Sequence, residues 1–282
     1  MEKKFKIASS LETVRKIAKD RCSIARFGDG ELGYIKKIGL YFQDYNEEMA
    51  HRLKKVLNSN EENLLIGLPL ALNPEFINLY IGYAKDYWTK WIKDNEEEMK
   101  NLVDMDKQYY STQISRFYLD YADKSGVEEY VNELKNIWKD RDIVIIEGEK
   151  SRLGTGNDLF DEAKSVSRIL GPAENAYDKY NEILAEAKKI SKDKLILLAL
   201  GPTATILAYD LYKLGYQAVD IGHVDIEYEW YLRKATTKIK IDGKYMGESG
   251  VMNKGVESKE KRLDVKDTSD SRYENQIIAK IL

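Results

Sequence analysis

Two carboxylates stand two residues apart in the segment RFGDGE, residues 26–31, directly after a short apolar run. Asp29 and Glu31 alternate with glycines, beginning with Gly28, and Arg26 precedes them. On an extended backbone, side chains at i and i+2 point to one side, and glycines let a turn bend toward one ion. Carboxylate oxygens suit Mg²⁺ or Mn²⁺, which proteins usually share with substrate phosphates. The segment alone predicts either such a metal site or a polar turn with two solvated acids.

The segment LGPTAT, residues 200–205, has the composition of a turn that leads into a helix. Gly201 precedes a proline, which is favoured at the first helical position, and Thr203 and Thr205 add hydroxyl groups. A helix N-terminus binds anions because its N–H groups are free and its dipole end is positive. The segment predicts a phosphate site or simply a well-capped helix. It lacks the lysine of a P-loop, which argues against a P-loop nucleotidase.

A glycine-rich segment, EGEKSRLGTGND, follows the predicted strand at residues 143–147. Lys150 and Arg152 are candidates for neutralising phosphate charge, and Asn157 or Asp158 for capping a helix that we expect next. The alternative is a mobile polar loop. The third glycine of a dinucleotide fingerprint is missing, so the segment argues against NAD binding.

The segment DIGHVDIEYEW, residues 220–230, carries His223, Asp225 and Glu227. If a strand continues through it, the three side chains share one face. If the strand stops at Gly222, Asp225 caps a helix that starts near residue 226. We favour the second geometry because IEYEWYLRKA has helical composition. Either geometry puts His223 near the end of a strand, where a general base is expected.

Buried apolar segments alternate with helical ones along the chain, which predicts an α/β fold with a mostly parallel sheet flanked by helices. The clearest unit is the strand–turn–helix–strand at residues 193–223. Ligands bind at the carboxyl ends of strands in such sheets, so the four segments are expected to converge at one edge. Other predicted elements are helices at 10–19 and 46–59, strands at 23–27 and 63–70, and a helical insertion at 74–139.

Tyrosines and tryptophans recur at spacings of three and four in residues 80–91, within the predicted insertion. We interpret this aromatic stripe as a core face, with a platform for an acceptor sugar as the alternative. The tail at 250–282 is rich in charge over its first part, and we treat it as an extension of unknown role after a domain at 1–249.

Composition limits the class of protein. The 282 residues carry a net charge of -3, which does not favour a nucleic-acid partner. A single cysteine, Cys22, allows neither an internal disulfide nor a cysteine-based zinc site and fits a reducing compartment. No apolar run has the roughly 20 residues that a membrane helix needs, and the N-terminus lacks a signal-like core. We expect a cytoplasmic protein without a membrane span. The oligomeric state is not predicted.

Four motifs in this order, RFGDGE, GTGNDLFD, LALGPTATILAYDL and GYQAVDIGHVDIEYEW, resemble the bacterial glycosyltransferases of the GT-D fold. That family was first catalogued as a domain of unknown function. It occurs in streptococcal and lactobacillal clusters that glycosylate serine-rich-repeat adhesins, and in polysaccharide clusters. The resemblance covers about residues 10–245.

The resemblance implies a Rossmann-like domain that binds a nucleotide sugar, usually a UDP-sugar. The family's Asp-x-Glu motif, linked to Mn²⁺ or Mg²⁺, falls on Asp29 and Glu31, and Asn157, Thr203 and His223 would face the donor. The acceptor would be a glycan or glycoprotein, a serine-rich-repeat adhesin being one candidate. The predicted donor-binding residues are Arg26, Gly28, Asp29, Lys150, Arg152, Asn157, Gly201, Thr203 and Thr205.

The predicted function is a metal-dependent hexosyltransferase that moves glucose or galactose from its UDP-sugar. Glu31, with Asp29, would bind the metal. The candidate bases are Asp225, His223 and Glu227, in that order. Two alternatives share these groups: a metal-dependent hydrolase of nucleotides or sugar phosphates, and a nucleotide-sugar-binding module without catalysis. The sequence does not distinguish inversion from retention.

Overall fold

A computed structural model describes residues 4–246 and 270–282. The strands in this part of the chain are β1 (Lys6–Ile7), β2 (Ser23–Arg26), β3 (Leu64–Leu68), β4 (Gln108–Ser111), β5 (Asp142–Gly148), β6 (Ser165–Gly171), β7 (Leu195–Ala199), β8 (Gln217–Asp220) and β9 (Ile277–Lys280). The helices are α1 (Ser10–Asp20), α2 (Asp29–Ile35), α3 (Glu47–Leu57), α4 (Gly82–Leu102), α5 (Val127–Lys135), α6 (Tyr180–Ala187), α7 (Pro202–Lys213), α8 (Val224–Leu232) and α9 (Ser271–Gln276).

The described strands form one parallel sheet in the order β1-β4-β3-β2-β8-β7-β5-β6-β9. From β2 the chain moves outward to β3 and β4, whereas β8 is reached from the other half of the sheet through β7. The strand order therefore reverses between β2 and β8. A crevice opens at the carboxyl ends of strands where such a reversal occurs, and ligands bind there. The predicted Rossmann-like fold is confirmed.

Apolar side chains cover both faces of the sheet, as the continuous apolar strands predict. In β5, Val144 and Ile146 pack into the core on one face, and Ile143 and Ile145 pack into the core on the other. The alternation follows from the two-residue period of a strand. The helices that cover the two faces hold the strand ends in fixed positions.

Local sequence signals explain where several helices begin and end. At α1, Glu12 accepts a hydrogen bond from the Ser9 N–H (2.8 Å), and Ser9 caps the Glu12 N–H in return. Pro202 is the first residue of α7, and Gly215, with φ of +86°, follows its end. The predicted helix at 10–19 and the strand–helix–strand unit at 193–223 are confirmed.

The helix predicted after the glycine-rich loop is wrong. Turns cover residues 149–164, and the chain then enters β6, which pairs with β5 over its whole length. Asn157 uses its side chain to accept the Leu159 N–H and to bind two carboxylates of α8, so it begins no helix. Pairing with β5 on one side and β9 on the other outweighs the local helical composition.

The helical insertion at 74–139 is correct in part. It contains α4 and α5, but it also contains β4, which lies between β1 and β3 in the sheet. The aromatic stripe at 80–91, made of Tyr80, Tyr83, Tyr87 and Trp91, divides. Tyr80 is buried and Trp91 is half-buried, whereas Tyr83 and Tyr87 are 38% and 48% exposed. The interpretation as a core face holds only for the buried members.

The predicted domain boundary at 249/250 lies outside the described residues. The described part of the tail, residues 270–282, forms α9 and then β9, which pairs with β6. The end of the chain thus completes one edge of the sheet. Among the described helices, none combines the length and apolar character that crossing a bilayer requires.

Candidate active site

The carboxylate pair after β2 lies in the first turn of α2, and this corrects the extended turn that the sequence suggested. Glu31 Oε2 accepts a hydrogen bond from the Gly28 N–H at 2.8 Å, which is one half of a capping box. Asp29 Oδ2 accepts a hydrogen bond from the hydroxyl of Tyr87 on α4. On a helix, residues i and i+2 point in different directions. Asp29 and Glu31 therefore diverge, with Asp29 toward α4 and Glu31 back toward the strand end.

A buried ion pair joins the ends of β2 and β8 at the reversal point. Arg26 Nη2 lies 2.9 Å from Asp220 Oδ1, with side-chain exposures of 13% and 5%. Arg26 Nη1 donates to the Thr112 carbonyl (2.8 Å) and to Ser115 Oγ (2.7 Å), which follow β4. Because three strand ends meet at this guanidinium, its position is fixed. Nothing in the sequence had singled out Asp220.

Gly222 allows the chain after β8 to pass close to this ion pair. Its φ is +49°, and a Cβ placed there would lie 2.1 Å from Arg26 Nη2. Its N–H donates to Asp220 Oδ1 at 3.1 Å. A side chain at this position would have to displace the guanidinium, so only glycine fits without strain.

The charges around Glu31 change its acidity. Burial, and next the negative charge of Asp220, raise the pKa of Glu31 to about 7, although the hydrogen bond from Gly28 works in the opposite direction. The charge of Asp29 adds a smaller raising effect. Three carboxylates thus concentrate negative charge at one strand end, and a cation bound among them would relieve their repulsion.

The oxygen donors at this strand end fit Mg²⁺ or Mn²⁺ only in part. In residues 4–246 and 270–282, no group of three or more His, Cys, Asp and Glu side chains is arranged to hold a metal ion alone. Asp29 and Glu31 fit the kind of site in which one or two carboxylates bind the ion and substrate phosphates complete its coordination.

The N-terminus of α7 lies beside the same strand end, but its threonines are fully buried. Thr205 Oγ1 donates to the Arg26 carbonyl at 3.0 Å, and Thr203 Oγ1 lies 3.5 Å from Gln43 Oε1. Gly201 is exposed, and the ring of Phe42 lies against its backbone. The Thr205 hydroxyl therefore holds α7 against β2, the Thr203 hydroxyl faces Gln43, and the exposed group at this turn is Gly201.

The loop after β5 is tied to α8 by a second, buried group of charges. Asn157 Nδ2 donates to Asp225 Oδ1 and to Glu229 Oε1, both at 2.7 Å. Lys244 Nζ lies 2.5 Å from Asp225 Oδ2 and 3.4 Å from Glu229 Oε1. Burial opposes the charge of Glu229, but the bonds from Asn157, Lys244 and Arg233 hold its pKa below the usual value.

The two cations predicted in this loop have neighbours in the C-terminal part of the described chain. Arg152 is 5% exposed and its guanidinium stacks 4.9 Å from the ring centre of Tyr273 on α9. Lys150 is partly exposed, and its carbonyl accepts the Tyr245 N–H. A cavity of about 380 Å³ opens between residues 154–161 and α9, and none of the acidic residues of the β2 and β8 ends lines it.

The structure does not bring the three base candidates together. Asp225 is 1% exposed and both its oxygens accept hydrogen bonds. Glu227 faces the segment that follows β4, where its Oε1 accepts hydrogen bonds from the N–H groups of Tyr118 and Leu119. His223 precedes α8 directly after Gly222 and is partly exposed. Of the three, only His223 reaches the surface near Arg26.

Comparison with known proteins assigns the chain to a family. The model of the glycosyltransferase GT-D fold matches residues 24–249. The chain is 36% identical over 272 residues to glycosyltransferase GlyD of Streptococcus pneumoniae, covering 96% of this chain and 32% of that protein. It is 35% identical over 284 residues to the probable glycosyl transferase Gly of Streptococcus gordonii, covering 99% of this chain and 39% of that protein. The chain thus spans 32% and 39% of the length of these two relatives.

Two solved structures are similar over nearly their whole length. One, described as the highly conserved domain of unknown function 1792 with a distinct glycosyltransferase fold, is 37% identical with a TM-score of 0.89, covering 99% of this chain and 97% of that one. A glycosyltransferase of the same domain type from Streptococcus sanguinis is 33% identical with a TM-score of 0.88, covering 99% of this chain and all of that one (100%). By these matches, the chain belongs to the glycosyltransferase family of the GT-D fold, as the resemblance of its four motifs predicted.

Proposed function

We propose that this chain is a metal-dependent hexosyltransferase that takes glucose or galactose from its UDP-sugar and transfers it to a glycan or glycoprotein. The observation that carries the proposal is the concentration of acidic groups, Asp29, Glu31 and Asp220, beside Arg26 where the strand order reverses. A UDP-sugar brings a diphosphate, and a carboxylate-bound cation is the usual partner of a diphosphate.

The proposed roles follow from exposure and charge. Glu31 and Asp29 hold Mn²⁺ or Mg²⁺, which when bound stabilises the negative charge that develops on the leaving diphosphate. Gly201 presents backbone at the N-terminus of α7, where an anion is favoured. Arg26 is held by Asp220 and Ser115, so it acts from a fixed position at the edge of the site.

We assign the general base, where inversion requires one, to His223. The pKa of histidine side chains in general lies near neutrality, and a neutral imidazole can accept the proton of an acceptor hydroxyl. Asp225 and Glu227, the other candidates, are each 1% exposed. The roles of Lys150, Arg152 and Asn157 in donor binding stay predictions. The single buried cysteine agrees with a cytoplasmic site of action.

The test is the release of UDP from UDP-glucose and UDP-galactose, measured with Mn²⁺, with Mg²⁺ and with excess EDTA, with and without a glycosylated peptide acceptor. We expect turnover that requires the cation and rises with the acceptor. Mass detection of the sugar on the peptide identifies transfer. Turnover in EDTA would contradict the metal role, and equal turnover without acceptor would favour the hydrolase alternative.

A further inference from the structure

Two exposed tyrosines on α4 lie next to the proposed metal site. Tyr83 and Tyr87 are one helical turn apart and share a face of α4, because residues at i and i+4 are neighbours on a helix. The adjacent stripe of α4, with Trp88, is buried against residues 71–80. The two rings are therefore the aromatic surface that α4 leaves exposed toward the carboxyl edge of the sheet.

Hydrogen bonds and ring contacts hold these two rings in place. The Tyr83 hydroxyl donates to Asp120 Oδ1 at 2.7 Å, and the Tyr87 hydroxyl donates to Asp29. The Tyr87 ring also meets the ring of Trp88 edge-on, with 5.5 Å between centres. A ring fixed at both ends loses little rotamer freedom when a ligand stacks on it.

Polar groups surround the two ring faces. Asp29 and Asp120 are acceptors, and Lys238 Nζ lies 6.0 Å from the ring centre of Tyr83. The negative face of an aromatic ring attracts the C–H face of a sugar, and the surrounding acceptors and ammonium match sugar hydroxyls. An aliphatic peptide side chain on this face would offer these charged groups no hydrogen bond in exchange for the water it displaces.

We propose that Tyr83 and Tyr87 form the acceptor subsite and stack on the hexopyranose ring that receives the transferred sugar. The inference rests on the proposed function and deepens it by naming the acceptor's chemistry. The hydrogen bond from Tyr87 to Asp29 makes the stacking surface continuous with the proposed donor site, so a sugar on these rings lies beside the diphosphate-binding groups.

The test uses saturation-transfer NMR on the full chain with the methyl β-glycosides of glucose, galactose and N-acetylglucosamine, in the presence of UDP and the diamagnetic ion Mg²⁺. We expect saturation of the ring C–H protons of at least one glycoside by the wild type. Tyr83→Leu and Tyr87→Leu should weaken its binding roughly 3- to 10-fold, the range expected for loss of one aromatic contact. Tyr83→Phe keeps the ring and should retain most of the saturation.

Tyr212→Leu is the matched control, because Tyr212 lies near the end of α7, at the opposite edge of the sheet from the site. Saturation equal in the Leu variants and the wild type, or none by the wild type, would overturn the proposal. Calorimetric titration of UDP with Mg²⁺ on the same protein samples measures the donor site separately. A protein that binds UDP but no glycoside thus loses the acceptor proposal alone, and one that binds no UDP loses the proposed function.

Discussion

Two groups of charged side chains at the carboxyl edge of the sheet differ in how their polar atoms are used. At the ends of β2 and β8, Arg26 pairs with Asp220, and Glu31 lies partly exposed beside them with a raised pKa. In the group after β5, Asn157 and Lys244 satisfy two buried carboxylates of α8. The first group has an excess of negative charge near solvent. In the second group, a buried ammonium group pairs with the carboxylates. The difference agrees with our proposal that the first group binds the ligand, and it assigns the second group the role of fixing a loop.

The largest effect on stability is expected in the buried group. Lys244→Met leaves the buried carboxylate of Asp225 without its cation, whereas Glu229 keeps its bond with Arg233. An uncompensated buried charge costs about 3–5 kcal/mol. We expect urea unfolding to show a loss of this size. Lys213→Met is the control, because its ion pair with Glu61 is on the surface, where such pairs contribute little to stability. A loss as small as that of the control would mean that the group after β5 does not fix the loop.

The largest effect on activity is expected at Glu31. Glu31→Gln removes a charge from the proposed metal site, and we expect UDP release to fall roughly 100- to 1,000-fold, as for other single electrostatic groups in active sites. Glu12→Gln is a matched control, because Glu12 accepts the N–H of Ser9 at 2.8 Å as Glu31 accepts that of Gly28. Equal activity losses in the two variants would show that Glu31 is only a capping residue.

The free energy of unfolding should depend on pH because the carboxylate of Glu227 is buried. Burial raises its pKa to about 7, against the lowering effect of Arg116, so the folded state holds its proton where the unfolded state has lost it. Folding therefore loses stability as pH rises from about 4.5 to about 7. Glu227→Gln should match the wild type near pH 4.5 and be more stable by roughly 1–3 kcal/mol at pH 8. A constant difference across the range, measured by urea unfolding, would refute this origin.

The smallest effect on stability is expected when alanine replaces either of two glycines with positive φ. Gly222→Ala strains the backbone and displaces Arg26, whereas Gly156→Ala, at φ of +80°, meets no atom within 4 Å. We expect each to lose about 1 kcal/mol of stability from the backbone, and only Gly222→Ala to lose activity as well. Thermal unfolding and UDP release on both variants measure the two losses. Matching activities would mean that the position of Arg26 does not matter for the reaction.

The central part of the fold was predictable because its signals are local. Residues 193–223 contain an apolar strand, a proline at the first helical position and a glycine stop, and each signal acts within a few residues. The strand β6 was not predictable in this way. Its segment has helical composition on its N-terminal side, and it becomes a strand because β5 and β9 pair with it from distant parts of the chain.

Residues of the site were predictable where they belong to a sequence motif. They were not predictable where only the folded structure brings them together. Asp29 and Glu31 stand in a spaced motif that the resemblance to the family also carries. Asp220 is a single acid at a strand end, and only the neighbouring position of β2 and β8 gives it Arg26 as a partner. Lys244 lies beyond the last motif, and nothing local indicates that its ammonium is buried against α8.

The most direct test of the central claim is the affinity of UDP with and without Mn²⁺, measured by calorimetry on the wild type and on Glu31→Gln. If the turn after β2 binds a cation shared with the diphosphate, Mn²⁺ should strengthen UDP binding by the wild type at least tenfold and leave binding by the variant nearly unchanged. The same gain from Mn²⁺ in both proteins would contradict the account.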